Sequence, residues 1–262
     1  MNRKSIVLIV FVIVACTAAL AATTPRSGNV RFRAASGGKL TLDLEAGGDV
    51  KIAGTGGSQI LVSYSNECTP ECEVVFDENS GGLEISTRFT SKGKSQNSNI
   101  QLEVQVPRSF DVALDSNGGA LSIDGVDGSF TGETKGGKIT LHEVAGRANL
   151  STMGGEISLT DSKLDGSLTT MGGAVLFENV VGDVKGSSMG GNVRYKNVRR
   201  SGGAVASPSR KDGAAGGDDL TDLTPETVQI STMGGEIHVE KAPEGADGFK
   251  VTLNTLTEKK KS

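Results

Sequence analysis

The chain has 262 residues, and its composition is marked by 37 Gly, 8 Phe, 2 Tyr and no Trp. Collagen is excluded, because the glycines come as doublets without a three-residue period and Pro numbers 6. A net charge of −4 gives no electrostatic reason to bind nucleic acid, and the scarcity of aromatic rings disfavours stacking sites for bases or sugars. These features indicate an elongated, turn-rich β protein.

Residues 1–21 have the pattern of a secretory signal peptide. Two cations precede an apolar run from Ile6 to Ala15, and a small-x-small cleavage site follows at 19–21. As an alternative, Cys16 resembles the acylated cysteine of a bacterial lipoprotein signal, and a third possibility is an uncleaved anchor. Each alternative predicts export to the periplasm, the cell envelope or the medium. Membrane contact is then expected only through a lipid anchor or an uncleaved signal.

The two remaining cysteines, Cys68 and Cys72, flank a Thr-Pro turn. In an oxidising compartment, this spacing predicts a disulfide that closes a very short loop. A copper or redox site of the Cys-x-x-x-Cys type is the alternative, and it would need a third ligand. Zinc is disfavoured, because a structural zinc ion takes four ligands and no His lies nearby.

An internal repeat dominates the second half of the chain. Gly-Gly doublets recur at a strictly constant interval, at 118–119, 136–137, 154–155, 172–173 and 190–191. Apolar residues form two columns in the same alignment, namely Leu121, Ile139, Ile157, Val175 and Val193, and Ile123, Leu141, Leu159, Phe177 and Tyr195. Apolar residues at i and i+2 predict strands with one buried face, and each doublet predicts a turn. The repeat therefore predicts an all-β fold, a β-solenoid like a parallel β-helix, with coils of about 18 residues.

The rest of the chain is interpreted around this repeat. Residues 28–114 contain alternating strands with less regular spacing, and we interpret them as starting coils with looser hairpins. Residues 28–256 would then form a single domain. The segment 199–226, rich in Gly, Ala, Ser and Asp, is predicted to be a long inserted loop, and 257–262 a basic, solvated tail.

Three consecutive runs carry a resemblance to a known family: Leu102–Pro107, Asp111–Gly119 and Leu121–Val126. In their Gly-punctuated strands they resemble the bacterial "putative adhesin" β-strand-repeat family, a domain of unknown function in exported and envelope proteins. The resemblance covers roughly residues 37–256 and implies an exported β-solenoid with a modest expectation of binding. The loop 199–226 and the two paired cysteines depart from the family pattern. The family supplies no site residues that could be carried over.

Candidate catalytic residues are few. His142 and His238 fall at least four coils apart in the repeat, so no shared metal or catalytic role is predicted. Glu143 and Asp161 are one repeat length apart and fall on adjacent coils, near the separation that retaining glycosidases use. Neighbouring cations and the lack of an aromatic platform favour a solvated ladder of mixed charge instead.

Two side-chain columns border the Gly-Gly turn. The first contains hydroxyl residues, Thr134, Thr152, Thr170, Ser188 and Thr232, which we expect to bond along the stack or to the turn backbone. The second contains methionines, Met153, Met171, Met189 and Met233, and is the candidate contact edge. We expect these methionines to cover a hydrophobic edge above the turn. Two alternatives to this role are an apolar strip that binds a partner and a soft-metal site for Cu(I).

The sequence favours a non-enzymatic, exported β-solenoid that acts as an adhesin-like binding or structural module of the bacterial cell envelope. No cofactor and no metal are predicted, and the expected partner is a protein or glycan at the cell surface. One alternative is a carbohydrate-active β-helix lyase or hydrolase that uses Glu143 and Asp161. Another is an envelope-sensing partner of a membrane regulator.

Overall fold

The computed structural model describes residues 26–35, 37–69, 71–79, 81–90 and 97–199, and the backbone of three further strands up to residue 255. The predicted signal peptide with Cys16, most of the loop 199–226, Met233 and the basic tail lie outside the described residues. No helix in the described part of the chain is long and apolar enough to cross a membrane.

The fold is all-β, as predicted. The described residues form one mixed sheet of nineteen strands and contain no helix. The strands are β1 (Ser27–Arg33), β2 (Lys39–Leu44), β3 (Asp49–Thr55), β4 (Gln59–Thr69), β5 (Cys72–Asn79), β6 (Gly82–Phe89), β7 (Asn97–Pro107), β8 (Asp111–Ser116), β9 (Leu121–Asp124), β10 (Asp127–Thr134), β11 (Ile139–His142), β12 (Ala145–Thr152), β13 (Ile157–Thr170), β14 (Val175–Val181), β15 (Val184–Ser188), β16 (Val193–Arg199), β17 (Glu226–Thr232), β18 (Ile237–Glu240) and β19 (Phe249–Thr255).

The repeat region pairs in parallel at the interval of the Gly-Gly doublets. One series of strands, ladder A, contains β8, β10, β12, the second half of β13, and β15, with Thr152 opposite Thr170. The other series, ladder B, contains β9, β11, the first half of β13, β14 and β16, with Ile139 opposite Ile157. Each paired residue is thus one repeat length from its partner, so like side chains lie about 4.8 Å apart along the stack.

The N-terminal part corrects the expectation of sequential starting coils. Strand β2 lies between β6 and β8, and β3 lies between β7 and β9, so these strands do not stack in chain order. Beyond them, the pairs β1–β4, β4–β7 and β5–β6 are antiparallel. Without these antiparallel pairs, β6 and β7 would each leave an open strand edge, and β5 and β4 pair with those edges. Alternating residues alone do not specify which strand is the partner.

Both ladders direct alternate side chains into one continuous core. The apolar columns predicted from the repeat are buried, and they join the interior residues of the N-terminal strands in a single hydrophobic cluster. The predicted column residues in this cluster are Leu121, Ile139, Ile157, Val175, Val193, Ile123, Leu141, Leu159, Phe177 and Tyr195. Aliphatic and aromatic side chains stacked on their equivalents bury most of their apolar area, which is the main favourable contribution to folding.

A glycine in one column makes room for two of the largest core side chains in another. The rings of Phe177 and Tyr195 stack with their centroids 4.6 Å apart. Gly186 stands where earlier coils carry Leu150 and Leu168, and any side chain there would collide with the Phe177 ring. The backbone N–H of Gly186 donates a hydrogen bond of 2.7 Å to the Tyr195 hydroxyl. Burial raises the pKa of Tyr195 well above its ordinary value.

Candidate functional site

The hydroxyl column fixes the Gly-Gly turn that borders the site. Thr170 Oγ1 donates to the carbonyl of Gly155 (2.8 Å) and accepts from the N–H of Gly173 (3.1 Å). Ser188 Oγ makes the equivalent pair of bonds one coil later, to the carbonyl of Gly173 and from the N–H of Gly191. Both hydroxyl residues are buried. The predicted bonding of this column to the turn backbone is confirmed at these positions, and it places the next residue of each coil at a fixed point.

That next residue is a methionine in three successive coils. The exposed fractions of these side chains are 54% for Met153, 50% for Met171 and 45% for Met189. Side chains that cover an apolar edge, as predicted from the sequence, would be less exposed than this. Their backbone N–H groups donate to the carbonyls of Thr134, Thr152 and Thr170 in the preceding coil, at 3.1 to 3.2 Å. We call these three residues the methionine edge. The fourth predicted member, Met233, lies outside the described residues.

The methionine edge has few side-chain neighbours on the turn itself. Each methionine is followed by a Gly-Gly doublet, and a Cβ at Gly154 would have open space around it. Lys135 occupies the methionine position one coil earlier. Beyond the turn, Lys138 and Glu156 form an exposed ion pair of 3.0 Å. The edge is therefore a narrow row of thioethers next to bare backbone, with Lys135 at one end.

The column of the candidate carboxylates lies at a corner between the two ladders. Gly125, Glu143, Asp161, Asn179 and Asn197 occupy the same position in successive repeats, and all have left-handed backbone φ angles, from 50° to 66°. Glycine adopts this conformation freely, and Asn and Asp adopt it more readily than other residues. The corner thus explains the Gly, Asp and Asn of this column, and it does not explain Glu143. Sequence reasoning missed it, although the Gly and the two Asn in one repeat column were a usable signal.

An amide ladder runs along this corner. Asn197 Nδ2 donates to Asn179 Oδ1, and Asn179 Nδ2 donates to Asp161 Oδ1, each at 2.8 Å. Asp161 is thereby held by its neighbour in the stack. Asp161, which the alternative enzyme hypothesis pairs with Glu143, thus accepts a hydrogen bond within the ladder.

His142 lies beside the same corner between two carboxylates. Its Nδ1 is 2.6 Å from Asp124 Oδ1, and its Nε2 is 3.7 Å from Asp161 Oδ2. The hydrogen bond with Asp124 raises the pKa of His142, and the nearby carboxylates, including Glu143, raise it further. Asp124, His142 and Glu143 each have a ligand atom within 4.8 Å of the others, so the group has the donor types of a cation site. All three are at least partly exposed to solvent.

The sulfur atoms of Cys68 and Cys72 are bonded to each other, and their Cα atoms are 5.7 Å apart. Cys68 lies in β4 and Cys72 begins β5, so the bond ties the antiparallel strands at the end of the stack. Asn66, also in β4, donates a 2.7 Å hydrogen bond from Nδ2 to the carbonyl of Cys72. The disulfide and this hydrogen bond together hold the end of β4 to the start of β5.

No protein-family model and no curated protein matches this chain. Among solved structures, it is similar to a "putative adhesin" from Bacteroides fragilis, with 12% identity, a TM-score of 0.39, and 89% of this chain and 98% of the other covered. A "putative cell adhesion protein" from Clostridium sporogenes has 12% identity, a TM-score of 0.35, and coverage of 81% and 98%. A "putative lipid binding protein" from Parabacteroides distasonis has 10% identity, a TM-score of 0.27, and coverage of 89% and 98%. Similarities this distant assign neither a function nor site residues to the chain.

Proposed function

We propose that this protein is a non-enzymatic, exported binding module of the bacterial cell envelope, and that it docks a partner through the methionine edge. One observation carries the proposal. Five large hydrophobic side chains are exposed in the described part of the chain, and three of them are Met153, Met171 and Met189, aligned along one edge. Aligned exposed apolar side chains are typical of interaction sites.

The body of the module is proposed to be a β-solenoid over the repeat region. Its support is the parallel register of ladders A and B, in which each residue pairs with its equivalent in the next repeat. A stack of this kind presents one residue type at a constant spacing along an edge. This property turns a single repeated methionine into a continuous surface.

The chemistry of the edge favours a protein partner over a glycan. Thioether side chains are flexible and polarisable, and they adapt to irregular apolar surfaces. Glycan sites usually stack sugar rings on aromatic side chains, and no large exposed aromatic residue occurs among the described side chains. We therefore propose that the partner offers an apolar patch or segment to the methionines. A membrane regulator with such a segment is one partner of this kind.

Photo-crosslinking at the edge tests this proposal directly. Photo-methionine is incorporated in cells in place of methionine, and the crosslinked products are identified by mass spectrometry. We expect crosslinks from Met171 and its neighbours to a defined partner. The variant Met153→Gln/Met171→Gln/Met189→Gln keeps side-chain size and removes apolarity, so its affinity for the captured partner should fall at least tenfold. Crosslinks that come only from other positions, or an unchanged affinity, would contradict the proposal.

Export is tested at the amino terminus. Cell fractionation and mass spectrometry of the mature chain distinguish a chain that begins near Ala22 from one that begins at an acylated Cys16. A chain found in the cytoplasm with Met1 still present would overturn the proposed location. Either exported form agrees with an oxidised Cys68–Cys72 pair.

The enzymatic alternative is less well supported by the geometry. Asp161 is engaged in the amide ladder, and Glu143 occupies a left-handed corner position. Two clefts lie along β1, both lined by Arg31, and neither contains Glu143 or Asp161. Release of product from acidic polysaccharides, abolished by Glu143→Gln, would nevertheless show an enzyme.

A further inference from the structure

We propose that the methionine edge is a binding site for a soft monovalent metal ion, Cu(I), with the thioether sulfurs of Met153, Met171 and Met189 as its ligands. The inference does not depend on the proposed docking function, because it rests on sulfur as a ligand and not on apolarity. Its basis is the position, exposure and surroundings of these three side chains.

The spacing of the ladder suits a shared ion. The N–H groups of the three methionines bond to carbonyls of the preceding coils at 3.1 to 3.2 Å, so their backbones stay in register. Adjacent strands are about 4.8 Å apart, and a methionine side chain has three rotatable bonds beyond its Cβ. The sulfurs of two adjacent coils can therefore approach one ion from either side. Met171, which has a methionine on both sides, is the central ligand.

The chemistry of the donors selects the ion. Thioethers are soft, uncharged ligands, which suit Cu(I) and are poor ligands for Zn²⁺, Ca²⁺ and Mg²⁺. Because thioethers carry no proton at any ordinary pH, binding should require no deprotonation. The one group of three nitrogen and carboxylate donors found in the described part of the chain, Asp124, His142 and Glu143, lies at the corner between the ladders and not in the methionine column. Divalent ions are expected to prefer that corner.

The surroundings leave the sulfurs accessible. The methionines are 45% to 54% exposed, and the Gly-Gly doublets that follow place no side chain beside them. Lys135 extends the column at one end, and its ammonium repels a cation. The ion is therefore expected between Met171 and Met189 more than near Met153.

Methyl NMR of the full chain with [13C]methyl-methionine tests the proposal. Free thiols are alkylated first, and Cu(I) is then added anaerobically with ascorbate. We expect the methyl resonances of Met171 and Met189 to shift most and that of Met153 to shift less, all saturating near one equivalent, and Zn²⁺ to leave them in place. Competition with a colorimetric Cu(I) chelator gives the dissociation constant.

Leucine variants separate ligation from packing. Met171→Leu keeps volume and apolarity but removes the sulfur, so the dissociation constant for Cu(I) should rise at least tenfold, and Met153→Leu should have a smaller effect. The thermal midpoint of each variant checks that it is folded. Partner binding is measured separately with the triple Gln variant, and Cu(I) binding with the methyl shifts of the wild type, so failure of one proposal is distinguishable from failure of the other. Unshifted methyl resonances, or equal Cu(I) affinity in Met171→Leu, would show that the edge is not a metal site.

Discussion

At the level of single residues, the two glycines of each doublet have different surroundings. A Cβ at Gly154 has nothing near it, whereas a Cβ at Gly155 would overlap the backbone carbonyl of Gly137 in the preceding coil. Backbone cannot move aside without breaking the parallel pairing of both coils. The second glycine is thus required by the close stacking of coils, and the first is not.

Alanine substitution distinguishes the two positions. Gly155→Ala should lower the free energy of unfolding by about 3 kcal/mol or more, because overpacking against backbone is costly. Gly154→Ala is the matched control, and it should change stability little or raise it by about 0.4–1 kcal/mol through a less flexible unfolded chain. Urea unfolding of both variants measures the difference. Equal effects at the two sites would refute the stacking explanation.

His142 gives the protein a pH-dependent contribution to stability. Its pKa is raised in the folded state by Asp124, so the folded protein holds the proton more tightly than the unfolded chain. The stabilisation is therefore fully present below about pH 6.5, the ordinary value, and it is lost as the pH rises through the raised pKa. Asp124→Asn should return the imidazole pKa towards its ordinary value in an NMR titration, with the resonance of His238 as internal reference. An unchanged His142 pKa would assign the shift to another group.

At the level of elements, the hydroxyl column determines how each strand of ladder A ends. Thr170 is buried and satisfies one carbonyl and one N–H of two different doublets. Its hydroxyl thus links the turn of its own coil to the turn before it. A side chain of the same shape without the hydroxyl would leave both backbone groups unpaired.

Thr170→Val tests this link. The variant should lose about 1–3 kcal/mol of unfolding free energy, since buried polar groups without partners are destabilising. Thr170→Ser should retain most of the stability, because Ser188 makes the same pair of bonds in the next coil. Chemical denaturation and hydrogen exchange at the Gly173 amide are the measurements. Protection of that amide in Thr170→Val equal to the wild type would contradict the assigned bond.

The elements also show what the sequence can and cannot specify. The buried columns and the doublet turns were predictable. A strand with one buried face gives alternating apolar residues, and its repetition at a constant interval gives the same pattern in each repeat. The left-handed corner at Asp161 and the exposure of Met171 depend on the path of the backbone between strands, which hydrophobic periodicity does not encode. The position of β2 between β6 and β8 depends on pairing between residues far apart in the sequence. The alternation of apolar and polar residues along β2 would be the same with any other partner strand.

At the level of the whole molecule, the antiparallel strands and the repeat share one core. The hydrophobic cluster runs without interruption from Leu40 in β2 to Tyr195 in β16. A solenoid with only nearest-neighbour contacts can unfold from its ends, but a core that joins both parts favours a single cooperative transition. The scarcity of aromatic residues provides a way to observe this. The two tyrosines of the chain, Tyr64 and Tyr195, lie in β4 and β16, one in each part.

Selective 13C labelling of tyrosine should therefore give two resonances that report separately on the two parts. We expect both to disappear at the same urea concentration, and Gly155→Ala to lower both midpoints equally although it alters the repeat alone. Replacing both Cys68 and Cys72 by Ser should lower the free energy of unfolding by about 2 kcal/mol for so short a loop, and should therefore also lower both midpoints. Two separated transitions, with Tyr64 insensitive to Gly155→Ala, would mean that the antiparallel strands form an independent unit. The single-domain prediction for residues 28–256 would then fail, because a shared core requires that the loss of one part expose the other to water.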